Sequence, residues 1–95
     1  MRMMMKACMD TKMSNQATKG GKMPDAVRAT IERIKPEAAY FTPEGGRTMI
    51  LVFDMKDSSE LPSVSDPFFQ EMGADVTFEP VMNLEDLQKG LAALK

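Results

Sequence analysis

Two aspartates, Asp10 and Asp54, are the acid–base candidates in a chain of 95 residues that contains no histidine. Asp10 follows an apolar run over residues 2–9, and a carboxylate at the mouth of a cavity could abstract a proton if burial raised its pKa. The alternative, which we favour, is that Asp10 caps the first helical segment or turns the chain into it. Asp10 is thus a candidate general base whose favoured role is structural.

Asp54 stands among apolar residues in a segment that the pattern places inside the protein. An unpaired charge is costly there, so we expect Asp54 to lie near a strand end or beside a cation such as Lys6 or Arg47. A structural ion pair and a site acid explain the position equally well because both perturb the pKa of the carboxyl group.

Three further side chains could contact a ligand. The hydroxyl of Tyr40, the only tyrosine, could orient a ligand oxygen, although aromatic core packing with the hydroxyl at the rim is the more frequent outcome. The planar fork of Arg47 could hold a carboxylate, although a solvated turn arginine is the safer expectation. Lys6 supplies a cation on the first strand and completes the candidate set.

The composition excludes several classes of chemistry. The absence of histidine removes the commonest metal ligand, the usual general base and the usual axial haem ligand, so we expect no metal or cofactor. The single Cys8 allows no intrachain disulfide, and in an apolar strand its thiol should stay protonated and inert. A formal net charge of −2, with both signs spread along the chain, argues against nucleic acid as a partner.

The order of the elements follows from the hydrophobic patterns. Residues 2–9 predict a strand, residues 14–19 a short helix, and a longer helix begins at Pro24 and ends before Pro36. Residues 38–42 and 48–55 flank a Gly-rich turn and predict an antiparallel hairpin. The apolar run at the start of the chain is too short and too charged for a membrane span, so a cytoplasmic location is expected by default.

The second half predicts two helices and a strand. A helix over residues 61–72 should be broken or restarted at Pro67 and should end at Gly73. Residues 75–79 alternate as a half-buried strand, and Asn83 caps a last helix with a single leucine stripe. The sequence therefore predicts one α+β domain over residues 1–95, a ferredoxin-like β-α-β-β-α-β antiparallel sheet with an extra C-terminal helix.

The third strand carries apolar side chains on both of its faces, and so does the first. One face can be covered by the helices, whereas the other needs a second layer. Either the last helix folds under its own sheet, or a second copy of the chain packs sheet against sheet. We favour the homodimer because a sheet-sized apolar face is larger than monomers usually leave exposed.

Three stretches carry a family resemblance: Pro-Glu-Ala-Ala-Tyr-Phe at 36–41, Leu-Val-Phe-Asp-Met-Lys-Asp at 51–57, and Pro-Val-Met-Asn-Leu-Glu-Asp-Leu at 80–87. They resemble a group of small, uncharacterised bacterial proteins in the dimeric α+β barrel superfamily. The resemblance implies that two ferredoxin-like subunits join their sheets into a barrel. Members include isomerase-like enzymes, cofactor-free monooxygenases, haem-degrading proteins and ligand-sensing modules. Haem-binding relatives use histidines that this chain lacks, which argues against assigning their activities to it.

Two functions of different classes follow. The first is a homodimeric module that binds a small apolar molecule in the barrel or in an inter-subunit cleft, which the many methionines on the strands favour. The second is a cofactor-free isomerase or monooxygenase with Asp10 or Asp54 as base and with Tyr40 or Arg47 stabilising negative charge on oxygen. The enzyme hypothesis requires these groups to converge on one cavity.

Overall fold

A computed structural model describes residues 1–94. The strands are β1 (Arg2–Cys8), β2 (Ala38–Thr42), β3 (Thr48–Asp54) and β4 (Asp75–Pro80). The α-helices are α1 (Thr11–Ala17), α2 (Asp25–Ile34), α3 (Leu61–Met72) and α4 (Leu84–Ala92), and a short 3₁₀ turn at Ser58–Glu60 leads into α3. The predicted α+β class, with its order of strands and helices, is confirmed.

The four strands form one antiparallel sheet in the order β2-β3-β1-β4. The two central strands, β1 and β3, pair along their whole length, with Met5 opposite Leu51. The hairpin of β2 and β3 places Tyr40 opposite Ile50. This arrangement is consistent with a ferredoxin-like fold.

One face of the sheet packs against α1, α2 and α3 and forms the core. Odd-numbered residues of β1 and β3 point to this side, in keeping with the period-two alternation of strands. Its fully buried side chains include Met5, Leu51 and Phe53, and α2 and α3 contribute Val27, Val64 and Phe68. The methionines of β1 and β3 on this side therefore pack as core residues.

The opposite side of the sheet, named the second face, stays partly open. It comprises the side chains of Met4, Cys8, Tyr40, Ile50 and Val52 together with the polar Lys6, Asp75, Thr77 and Glu79, none of which is buried. Tyr40 is 66% exposed. The prediction that β3 is apolar on both faces is confirmed, because Ile50 and Val52 alternate with buried residues.

Helix α4 does not cover the second face. Its predicted apolar stripe is present, but all four side chains are exposed, from 39% to 79%: Leu84, Leu87, Leu91 and Leu94. The helix begins with a capping box between Asn83 and Asp86, and Arg2 forms an ion pair with Asp86. The fold is consequently extended, with a radius of gyration of 15.0 Å against about 12 Å for a compact domain of this length.

The prediction that Pro67 breaks or restarts a helix is wrong, since α3 runs without interruption from Leu61 to Met72. A proline inside a helix has no N–H to offer the carbonyl four residues earlier, which in α3 belongs to Ser63. Nη2 of Arg33 donates to that carbonyl at 3.1 Å. A side chain of α2 thus replaces the hydrogen bond that Pro67 cannot make.

Two boundaries near the first helices also differ from the sequence prediction. Helix α1 begins at Thr11 and not at Ser14, because the carboxylate of Asp10 accepts the backbone N–H of Met13 and caps the helix. Pro24 is the N-cap of α2 and not its first helical residue. The prediction that α2 ends before Pro36 is confirmed, since its last residue is Ile34. The predicted end of α3 at Gly73 is also confirmed.

Candidate functional site

An open cleft of about 570 Å³, which we call the hairpin cleft, lies at one end of the sheet. It lies between the connection from α1 to α2 and the β2–β3 hairpin. Its apolar lining comes from separate segments of the chain: Met9, Met23, Phe41, Pro43, Met49 and Met72. Its polar lining comprises Thr18, Lys22, Thr42, Arg47 and Thr48.

Local backbone geometry explains how the cleft is framed. Gly20 and Gly21 both take positive φ values, 86° and 78°, which lets the chain turn sharply between α1 and α2. On the other side, the Thr48 hydroxyl donates to the backbone carbonyls of Glu44 and Gly46 and closes the hairpin turn. Both walls are therefore fixed by short-range interactions.

Arg47 is the one predicted site residue that lines the cleft. Its Nη1 donates to Oγ of Ser14 at 2.7 Å and to Oδ1 of Asn15 at 2.8 Å. Ser14 is fully buried, and its hydroxyl in turn donates to the carbonyl of Thr11. Arg47 is exposed, as expected of a solvated turn arginine, and α1 in addition holds its guanidinium in place.

Asp10 and Asp54 lie at opposite ends of β1, whose seven residues span about 20 Å. Asp10 is exposed and serves as the N-cap of α1, the role that the sequence favours. Asp54 ends β3 opposite Arg2, as expected of a strand end. The two carboxylates therefore cannot act together within one chain.

The partners expected for Asp54 are wrong. Neither Lys6 nor Arg47 contacts it; the carboxylate accepts from the Lys56 ammonium and, at 2.9 Å, from the N-terminal ammonium of Met1. These hydrogen bonds, the one from Lys56 foremost, lower the pKa of Asp54 to about 2. Asp54 is an exposed ion-pair residue, ionised at neutral pH.

Lys6 and Tyr40 lie in one row across the second face, on either side of Ile50. Both are exposed. They are remote from the hairpin cleft, whose lining includes neither of them. The five predicted residues are thus divided among a helix cap, a strand end, the second face and the cleft.

The sequence prediction missed Lys22, Ser14 and the apolar lining of the cleft. Lys22 follows the Gly20-Gly21 pair, which is typical of a simple turn, and no local pattern shows that this turn faces the hairpin. Ser14 is a small polar residue at a helix position that turns out to be buried. Pairing between distant segments, which local periodicity does not encode, creates this site.

Comparison with known proteins gives no assignment. No family model matches the chain, and no curated protein is significantly similar to it. Among residues 1–94, no helix is long and apolar enough to cross a membrane. The same residues contain no group of three or more cysteine or acidic side chains that could hold a metal ion. Function must therefore be inferred from the fold and the cleft.

The ion pair of Asp54 predicts a defined pH dependence. Its pKa lies below the ordinary 3.8, so the pair stabilises the fold above that pH, and the contribution is lost as the pH falls towards 2. In an NMR titration of the side-chain carboxyl carbon, we expect the Asp54 midpoint near pH 2. Lys56→Gln should move this midpoint up towards 3.8.

The matched control is Lys12→Gln, which removes the same charge from an exposed position on α1 at the other end of the sheet. It should leave the Asp54 midpoint unchanged. The ion-pair assignment would be contradicted if the Asp54 midpoint lay near 3.8 in the unaltered chain, or if Lys56→Gln left this midpoint unchanged.

Proposed function

We propose that this protein is a homodimeric module that binds a small, mostly apolar molecule in the hairpin cleft. The observation that carries the proposal is the cleft itself, whose volume of about 570 Å³ falls within the range typical of small-molecule sites. Methionines and Phe41 line it from different elements, and flexible thioether side chains adapt readily to apolar ligands.

The second face supports the homodimer. Met4, Ile50 and Val52, each half-buried, form an apolar patch beside Lys6 on this face. The leucine stripe of α4 is a second uncovered apolar surface on the same chain. Two copies packed sheet against sheet would bury the second face, and a two-fold arrangement is the commonest for homodimers. A stable dimer needs about 800 Å² per partner, which is the scale of a sheet face.

Pairing of this kind would produce the dimeric α+β barrel that the family resemblance implies. The antiparallel sheet and its helices on one face support that architecture, because they leave one sheet face available for the partner. Under this proposal the hairpin cleft lies on the helix side of each subunit, since Met49 and Phe41 share the face of Leu51. The ligand site is then contained in each subunit.

We do not propose the cofactor-free enzyme as an equal alternative. That hypothesis requires Asp10 or Asp54 to converge with Tyr40 or Arg47 on one cavity, and of these four residues the lining of the hairpin cleft includes only Arg47. The hairpin cleft has no carboxylate in its lining, among residues 1–94, that could serve as a base. The geometry favours binding over catalysis.

The proposed function predicts a ligand-dependent rise in melting temperature. In a thermal-shift screen of apolar metabolites and lipid-like compounds, we expect at least one class to stabilise the protein. Phe41→Ala should weaken binding of that class about tenfold, because it removes an aromatic wall of the cleft. Phe41 is 61% exposed, so the fold should tolerate the change.

Phe69→Ala is the matched control, since Phe69 is 46% exposed on α3 and does not line the cleft. Phe69→Ala should bind the stabilising compounds with the same affinity as the unaltered chain. A screen in which no apolar compound raises the melting temperature would refute the proposed function, and equal losses in the two variants would refute its location.

The homodimer makes a separate prediction about mass. Light scattering at micromolar concentration should report about twice the 10.6 kDa of one chain. Val52→Glu should yield monomers, because it places a carboxylate between Met4 and Ala38 on the second face. Phe69→Glu adds the same charge on the helix side and should leave the dimer intact. A 10.6 kDa particle for the unaltered chain would contradict the proposal.

A further inference from the structure

The charged side chains that line the hairpin cleft are both cationic. Arg47 and Lys22 line it, and among residues 1–94 no acidic side chain does. Within the same part of the chain neither cation forms an ion pair, whereas Arg2, Arg28 and Lys56 each do. The chain as a whole carries a formal net charge of −2, so a positive cleft is not a consequence of composition.

The guanidinium of Arg47 is held with one edge free. Its Nη1 donates to Ser14 and Asn15, which fixes the plane of the group against α1. The N–H groups on Nε and Nη2 have no acceptor among residues 1–94. Two adjacent N–H groups of a guanidinium match the two oxygens of a carboxylate, and such bidentate pairs are both strong and directional.

The other polar groups of the cleft are largely occupied. The hydroxyl of Thr18 donates to the carbonyl of Ser14 at 2.6 Å, and that of Thr48 donates within the hairpin turn. Lys22 is exposed in the connection between α1 and α2, on the wall opposite the hairpin. The free donors of the cleft are therefore mainly cationic, and they adjoin an apolar floor.

We propose that the ligand of the hairpin cleft is a small apolar carboxylate, with its acid group bound by Arg47 and Lys22 and its apolar part against the methionines. This inference rests on the proposed function and specifies the class of its ligand. Ser14 and Asn15 act as positioning residues for Arg47. A neutral apolar molecule would leave both cations without a counter-charge.

Three probes with the same alkyl chain separate charge from apolar contact: octanoate, octanol and octylammonium. Binding to the purified protein is measured by calorimetry at neutral pH. We expect octanoate to bind about tenfold more tightly than octanol, the factor that a charge-assisted hydrogen bond contributes. Octylammonium should bind more weakly than either.

Two variants assign the preference to its residues. Arg47→Gln should weaken octanoate binding about tenfold and Lys22→Gln about threefold, with octanol binding unchanged in both. Lys22 is exposed in a loop, so its variant tests the inference even if loss of the Arg47 contacts disturbs α1. Lys89→Gln, on α4 and away from the cleft, is the control for charge alone and should bind octanoate normally.

The outcomes distinguish this inference from the proposed function. Equal affinity for octanoate and octanol, or a preference for octylammonium, would overturn the carboxylate while leaving an apolar site in place. Absence of binding by all three probes, together with a negative screen of apolar compounds, would overturn both. Loss of the octanoate preference in Lys89→Gln would also overturn the assignment to the cleft.

Discussion

The structure depends on a sheet whose central strand β3 carries apolar side chains on both faces, while three helices cover only one of them. Three helices cover the side of Met5, Leu51 and Phe53, and the leucine stripe of the fourth helix stays exposed. Burial of apolar surface is the main favourable contribution to folding, so a second layer over Ile50 and Val52 would add stability to a domain of this size. The proposed homodimer would supply that layer.

Strand β3, which carries apolar side chains on both faces of the sheet, also contributes to the lining of the hairpin cleft. Strand β3 begins at Thr48 beside the hairpin turn, where Arg47 and Met49 line the cleft, and its middle contributes to both faces of the sheet. Among the described residues, no buried side-chain nitrogen or oxygen lacks a hydrogen-bond partner. At the cleft, Nη1 of Arg47 donates to Ser14 and Asn15, and its Nε and Nη2 have no acceptor among the described residues.

Much of the fold could be predicted from the sequence because its signals are local. The hairpin turn, the cap at Asn83, and the two-faced pattern of β3 all depend on residues within a few positions of one another. The continuous α3 could not be predicted, because a distant arginine supplies the bond that Pro67 lacks. The cleft was missed for the same reason: Lys22, Phe41 and Ser14 come together only through tertiary packing.

Tyr40 offers the most direct measurement of whether the second face is covered. It is the only tyrosine in a chain without tryptophan, and it is 66% exposed on that face in the single chain. If a second copy covers the face, acrylamide should quench the tyrosine fluorescence weakly at high protein concentration, and more strongly on dilution as the partners separate. Quenching as efficient as that of free tyrosine at every concentration would contradict a covered second face.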